Sequence, residues 1–428
     1  MNVQKKNAVA ALVAALVAAL VAAGIAPAAS ADELSELRAA VQALQSRIDQ
    51  LEARAQAAED TNDRQTDQIA VARSSVGSWV SNFTWRGDFR FRNENIDQEY
   101  VPERNRYRIR ARAGFQAKIN DTLRTELLLG TTENNDPRSG NQTLTGENSR
   151  KSINIDVAYV EWAPHADWKL TAGKMRYPWV RPGQSNLFDP DVNPEGLAVN
   201  FSRGDVFASA FYNLLEERSA AAESAMAGGQ LGWRPSLGPG KAMLGASYFG
   251  FSGVKGRNPF YNNSSNGNST TSTAADCIGG VAPCLTQDYG LWELFAEYSL
   301  SVGGRPLALY ADYFNNSRAD NGLNKAWSAG VAWGRASDPR TWEIGYFYQV
   351  VEKDAAFGQF VDSDWGAGNT DARGSVIKVG YAPARNWVIN GTYMINETNV
   401  DVPVTIAGVG QVYRRGYNRL QLDMNFRY

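Results

Sequence analysis

From residue 80 to the end of the chain, apolar and polar side chains alternate repeatedly with a period of two. The clearest run is 106–118. Tyr107, Ile109, Ala111, Ala113, Phe115 and Ala117 hold the odd positions, and Arg106, Arg108, Arg110, Arg112, Gln116 and Lys118 hold even ones. A period of two describes an extended strand with two unlike faces. Along one face four consecutive arginines stand about 6.6 Å apart, two strand rises. Unpaired buried charge is too costly for that face to enter a dry core, so it must meet water or a matching set of acids. An apolar face on one side and a charged face on the other is the pattern of a strand in a transmembrane β-barrel.

The same pattern predicts sixteen strands, at about 80–93, 105–119, 122–134, 150–163, 167–176, 196–203, 206–214, 226–235, 241–252, 288–302, 305–316, 325–335, 341–353, 373–383, 386–397 and 414–428. Phe83, Trp85, Phe89 and Phe91 oppose Arg86, Asp88, Arg90 and Arg92; Trp342, Ile344, Tyr346, Tyr348 and Val350 oppose Glu343, Phe347 and Gln349. The alternation is weakest over strands five to seven. Connections alternate in length. Asn120-Asp121, Gly204-Asp205 and Gly303-Gly304 are tight turns, whereas 135–149, 253–287, 354–372 and 398–413 are long polar loops. Short turns on one rim and long loops on the other suit an outer-membrane barrel. The fold class is therefore all-β: a 16-stranded antiparallel transmembrane β-barrel over 79–428.

The first 78 residues follow other rules. Lys5 and Lys6 precede an uncharged apolar run from Ala8 to Ala23, and Ala29-Ser30-Ala31 fits a cleavage site, so 1–31 reads as an export signal. A retained membrane helix is the alternative. In 32–60, Leu34, Leu37, Val41, Leu44, Ile48 and Leu51 repeat at spacings of 3 and 4, a heptad seam. That seam predicts a helical coiled coil, with a lone amphipathic helix as the alternative. Residues 61–78 are polar and read as a linker.

Charge and chemistry narrow the picture. Removing 1–31 takes two lysines and no acid from 43 basic and 45 acidic residues, moving the formal charge from −2 to −4. That near balance gives no reason to expect nucleic acid as a partner. The mean hydropathy of −0.38 looks soluble only because half of each strand is polar. Cys277 and Cys284 lie in a loop rich in Asn, Ser and Thr; in an exported chain they are expected to form a local disulfide. No metal is expected on them, since the loop has no histidine. Asp362, Asp364, Asn369 and Asp371 have oxygens spaced for calcium, but without a bidentate glutamate the stretch reads as a solvated loop. The chain's one histidine, His165, sits in a short aromatic-flanked turn, and no G-x-S-x-G, H-E-x-x-H or P-loop pattern is present. The sequence thus gives no enzyme reading and no cofactor.

The last strand carries a resemblance. Leu420, Leu422, Met424, Phe426 and Tyr428 alternate with Arg419, Gln421, Asp423, Asn425 and Arg427. This resembles the carboxy-terminal assembly signal of bacterial outer-membrane proteins, which usually ends in Phe; Tyr428 is a departure. With the signal, heptads and sixteen strands, the chain resembles the sixteen-stranded porins of Gram-negative bacteria, more narrowly those with an amino-terminal coiled coil. The resemblance implies an outer-membrane barrel in lipid, an N-terminal segment in the periplasm, and a homotrimer. It also implies that the third long connection, 177–195, folds into the lumen and narrows it. That connection carries Asp189, Asp191 and Glu195, and prolines at 178, 182, 190 and 194 stiffen it.

Barrel closure pairs the last strand with the first. Arg419 and Arg427 then join Arg86, Arg90, Arg92, Arg106, Arg108, Arg110, Arg112 and Arg124 in one basic arc. Glu293, Glu297, Asp312 and Glu343 fall on strands across the barrel and, with the loop acids, face that arc. Such opposed walls set a field across the pore that favours anions near the arginines. The alternative is local pairing with acids such as Asp88, Glu126 and Asp423, which four consecutive arginines are read as exceeding. The expected function is passive diffusion of small hydrophilic solutes with an anion bias. The alternatives are a selective channel for phosphate or a carboxylate, and a tether to the cell wall or a periplasmic partner through 32–60.

Overall fold

The computed structural model describes residues 31–75 and 80–428; residues 1–30 of the expected export signal lie outside them. Two units are present, divided at Val80. The first contains one helix, α1, Ala31–Ser75, of 45 residues. It continues through 61–75, where the polar composition suggested a linker. No Gly or Pro occurs between Ala31 and Gly77 to break it. Thr61 and Thr66 bond back to the carbonyls of Ala57 and Asn62, at 2.6 and 2.8 Å, without interrupting the ladder. On the heptad seam, Ile48 and Leu51 are 54% and 60% exposed on the single chain.

The second unit is the barrel. Its strands are β1 Phe83–Gln98, β2 Arg104–Lys118, β3 Leu123–Thr131, β4 Ile153–His165, β5 Trp168–Lys174, β6 Glu195–Arg203, β7 Val206–Glu216 and β8 Ser224–Trp233. They continue as β9 Gly240–Ser252, β10 Gly290–Val302, β11 Arg305–Asn316, β12 Lys325–Gly334, β13 Thr341–Val351, β14 Ala372–Ala384, β15 Trp387–Thr398 and β16 Arg415–Arg427. Each strand pairs antiparallel with its neighbours in sequence, and β1 pairs with β16 from Asp88↔Arg427 to Gln98↔Tyr417. Closure removes the edges, so every strand's backbone groups find partners away from water. The two-residue turns Gly204-Asp205 and Gly303-Gly304 place glycine in left-handed backbone, with φ of 58° at Gly204 and 61° at Gly303.

Register fixes which face meets lipid. Trp85, Leu197, Leu231, Leu294, Ile344 and Leu422 point outward and are exposed. At the short-turn rim, cross-strand rings pair outward: Trp168 with Phe201 at 4.8 Å, Trp342 with Tyr381 at 4.3 Å, and Trp387 with Phe426 at 5.7 Å. They form the aromatic girdle expected at one interface. At the seam, the Tyr428 ring lies against Gly87, where a Cβ would come within 2.3 Å of it, and the Tyr428 hydroxyl donates to the Arg112 carbonyl at 2.8 Å.

The inward face is not uniformly polar. Phe211, Phe249, Phe314 and Phe347 point in and pack with Trp179 and Phe188 of the 175–194 connection and with Phe357 and Trp365 of the 352–371 connection. Period-two alternation could not separate these rings from solvated positions, because it sorts faces and not environments. The 354–372 stretch, expected as an external loop, is instead largely buried. In the long loop between β9 and β10, Cys277 and Cys284 are disulfide-bonded with Cα atoms 5.7 Å apart.

Leu294 is 61% exposed near the middle of β10. Leu294→Arg puts a charge against hydrocarbon and is expected to cost about 2–4 kcal/mol. Urea unfolding of the refolded barrel in lipid vesicles measures it; an unchanged midpoint would place this face out of the membrane.

Candidate functional site

The lumen is built on the ladder. Alternation turns Arg106, Arg108, Arg110 and Arg112 inward on β2, and register sets them beside β1: Glu94↔Arg106, Arg92↔Arg108, Arg90↔Arg110 and Asp88↔Arg112. On the other side of β1, Arg92 faces Asp423. Glu94 has no exposed surface and meets four arginines: Arg92 at 3.3 Å, Arg106 at 2.5 Å, Arg108 at 3.6 Å and Arg419 at 2.9 Å. Arg92 also reaches Asp423 at 2.6 Å and Asp364 at 2.8 Å, while Arg419 reaches Asp364 at 2.7 Å. One turn-ward step along the ladder, Arg110 holds Asp88 and Asp191, each at 3.1 Å, and Arg112 holds Asp88 at 2.7 Å and Asp156 at 3.4 Å.

These pairs correct the expectation that four consecutive arginines exceed local neutralisation. Arg92, Arg106, Arg108, Arg110, Arg112 and Arg419 are matched by Asp88, Glu94, Glu133, Asp156, Asp191, Asp364 and Asp423. Glu94 falls one residue past the strand end read from sequence. Asp191 and Asp364 arrive on loops remote in the chain. The other arc residues are less engaged. Arg86 donates to Gln116 at 3.0 Å, Arg90 donates to Asn425 at 3.0 Å, Arg124 stands 3.9 Å from Glu161, and Arg427 is exposed at the turn rim. Glu126, expected beside the ladder, instead binds Arg176 at 2.7 Å and the Tyr159 hydroxyl at 2.8 Å.

The predicted acidic wall also plays another part. Residues 183–186 of the β5–β6 connection lie across it inside the barrel. Gly183 N donates to Glu297 at 2.9 Å, Gln184 to Glu343 at 3.4 Å, Ser185 Oγ to Asp312 at 2.8 Å, and Asn186 N to Gln349 at 3.2 Å. Glu293, buried next to Asp312, accepts from Ser247. Glu297, Glu343 and Asp312 thus anchor the loop and do not form one open charged wall, and of the three Glu343 also borders open space on the turn side. Asp189 is buried and accepts from the backbone N–H of Asp191 and of Ser363, each at 2.8 Å. Glu195 leaves the set: it opens β6 on the face of exposed Leu197 and pairs with Lys174 at 2.9 Å.

The β13–β14 connection is the part that the sequence reading missed. It packs on the β5–β6 connection through Asp189 N to Phe360 O at 2.8 Å, and Arg138 from the β3–β4 loop donates to Gly368 O at 2.9 Å. Asp364 at its centre accepts from Arg92, Arg419 and Gln421. Burial opposes the charge on Asp364, but Arg419 and Arg92 hold its carboxyl well below the usual carboxylate range. The calcium spacing dissolves here. Asp362 accepts from Asp364 N and Trp365 N, Asn369 donates to Ala367 O, and Asp371 accepts from Asp401 N and Val402 N. Among the described residues no His, Cys, Asp and Glu cluster suits a metal. His165 is exposed in its turn and accepts from Asp167 N at 3.2 Å.

Water-sized space remains on both sides of this belt. A loop-side cavity of about 360 Å³ is lined by Arg106, Arg108, Arg138, Glu133, Asp136 and Asp364. A turn-side cavity of about 380 Å³ is lined by Arg90, Arg110, Arg112, Arg427, Asp88 and Glu343. A closed sixteen-stranded barrel with a lipid-facing outer surface, loops folded into its bore and charged cavities on either side defines a porin-type outer-membrane channel.

The family follows from comparison. A family model described as "Putative porin" matches residues 97–278 and 304–428, and the chain belongs to that family. The high-pH structure of Pseudomonas putida OprB superposes with a TM-score of 0.55 at 11% identity, over 82% of this chain and 95% of that one. At that identity the likeness shows the fold. An in-vitro folded OmpT of Vibrio cholerae, in its trimer form, gives 0.48 at 13% identity over 81% and 99% of the chains. A Rhodopseudomonas blastica porin mutant gives 0.45 at 11% over 81% and 100%. No curated protein matches. The protein is a Gram-negative outer-membrane porin, a channel for solute diffusion.

Asp364→Asn leaves Arg92 and Arg419 short of one buried partner and is expected to destabilise the barrel by about 3 kcal/mol. It should also loosen the 352–371 connection and raise single-channel conductance. Urea unfolding and bilayer recording on the same variant check both; wild-type values in each would separate Asp364 from the belt.

Proposed function

We propose that this porin passes small hydrophilic solutes by diffusion along the arginine side of its bore, with a preference for small anions. The reading rests on the turn-side cavity. Arg90, Arg110, Arg112 and Arg427 line it with Asp88 and Glu343. Asp88, Asp156 and Asp191 match Arg110 and Arg112, which leaves Arg90 and Arg427 against Glu343 alone, an excess of positive charge. Arg90 carries that excess: it donates to the neutral Asn425, and among the described residues no carboxylate lies within 4.0 Å of it. A cation in a water-filled bore with low-dielectric walls raises local anion concentration. Arg92, saturated by three acids, contributes structure and little field.

Arg90→Gln is expected to lower the anion-to-cation permeability ratio about two- to threefold, the effect of removing one poorly screened charge. Reversal potentials of single channels in a potassium chloride gradient measure it. Cation selectivity of the parent channel would defeat the reading, and an unchanged ratio in the variant would take Arg90 out of the ion path.

We also read α1 as one strand of a parallel coiled coil in a homotrimer. Ile48 and Leu51 support this, since a heptad seam left in water on a single chain needs a partner helix. Deleting 32–75 is expected to shift the detergent-solubilised assembly toward smaller species in light scattering; an unchanged mass would remove α1 from assembly.

A further inference from the structure

Beside the ladder, between the β3–β4 loop and the β5–β6 connection, lies a larger loop-side cavity of about 810 Å³. Its size falls within the range of small-molecule sites. Its lining differs in kind from the arginine path. The charged groups in it are already matched: Asp156 with Arg112 at 3.4 Å, Asp191 with Arg110 at 3.1 Å, Lys174 with Glu195 at 2.9 Å, and Asp136 with Arg138 at 3.9 Å. Such a lining places no demand for ligand charge.

Two other features do ask for a ligand. Rings gather there: Tyr177, Phe260, Tyr261 and Phe360 offer apolar surface, backed by the buried Trp179. Among them stand buried polar atoms that have no partner, namely Nδ2 of Asn154, Nε1 of Trp179, and both Nδ2 and Oδ1 of Asn213. Asn213 is 1% exposed and Trp179 5% exposed. A buried amide left unpartnered is costly, and such groups normally find a donor or acceptor. Here three donors and one acceptor are unmet. An ionised carboxylate could answer only the donors; hydroxyl groups both accept and donate. Hydroxyls on a ring with an apolar face would meet the amides and the aromatic surfaces together.

We propose that this cavity is a binding site for a neutral, polyhydroxylated ring solute of the sugar type, separate from the anion path. It depends on the channel reading only for access from outside. Asn213 supplies the recognition amide and Tyr261, on the β9–β10 loop, a ring at the entrance.

The test is calorimetric titration of the full-length protein in detergent with sucrose, with glycerol as a polyol lacking a ring and inorganic phosphate as an anion. Saturable binding of sucrose and none of glycerol is expected. Asn213→Ala should weaken it about tenfold, the loss expected when a buried hydrogen-bonding group is removed from a site. Tyr261→Ala, in a surface loop, should weaken it too and covers the case in which the Asn213 variant fails to fold. No saturable sucrose binding, equal affinity in both folded variants, or displacement of sucrose by phosphate would overturn the proposal. Bilayer conductance of the same preparation separates the two readings. Conducting channels that ignore sucrose remove this site alone, whereas a preparation that never conducts removes the channel reading.

Discussion

A carboxylate with no exposed surface stands at the centre of the barrel's charged half, and the organisation of the lumen depends on keeping it ionised. Glu94 lies among four guanidinium groups contributed by three adjacent strands, β1, β2 and β16. The four arginines, gathered without it, would repel one another; the acid, buried without them, would be intolerable. Each sign makes the other possible. The cluster also leaves Arg92 and Arg419 with capacity for one more acid, and Asp364 takes it. The charge balance of the wall thus reaches out to position a loop whose residues are far away in sequence.

Inside the cylinder two unlike solvents coexist. The side formed by β7, β9, β11 and β13 presents phenylalanines that bury the aromatic residues of two loops, as a soluble protein's core would. The side formed by β16, β1 and β2 presents ion pairs and water-sized cavities. Three carboxylates and the Gln349 amide bordering the dry side hold the β5–β6 connection by accepting its N–H and O–H groups in order along 183–186. The loop is therefore gripped by hydrogen bonds at one end and by Arg110–Asp191 at the other. Restriction of the bore comes from packing as much as from charge.

Most of the scaffold is legible from period-two alternation, because a lipid-facing residue has no alternative environment: all sixteen strands fall within a few residues of where the pattern puts them. Turn chemistry fixes the rims for the same reason. The interior is harder. Phe347 and Gln349 share an inward face in the sequence, yet one packs in a dry cluster and the other binds a loop backbone. Which of these a residue does depends on loops with no periodicity. Asp364 sits in a polar stretch that looks solvated until Arg92 and Arg419 are known to be within reach. The seam of α1 is visible as heptads, and the absence of Gly or Pro between 61 and 75 could have extended the helix past the polar composition that argued for a linker.

The ring at the very end of the chain has a consequence for how the cylinder is completed. Tyr428 rests on Gly87, its backbone exchanges hydrogen bonds with that residue, and its phenol reaches across to the Arg112 carbonyl. Three strands, β1, β2 and β16, therefore converge on one side chain at the seam that closes the barrel. A terminal phenylalanine would fill the same space but lacks the hydroxyl that reaches β2. The final residue acts as a clasp that fits when the ends of the sheet have met in the correct register, since a slip by one position would turn its ring to the other face and carry it away from Gly87.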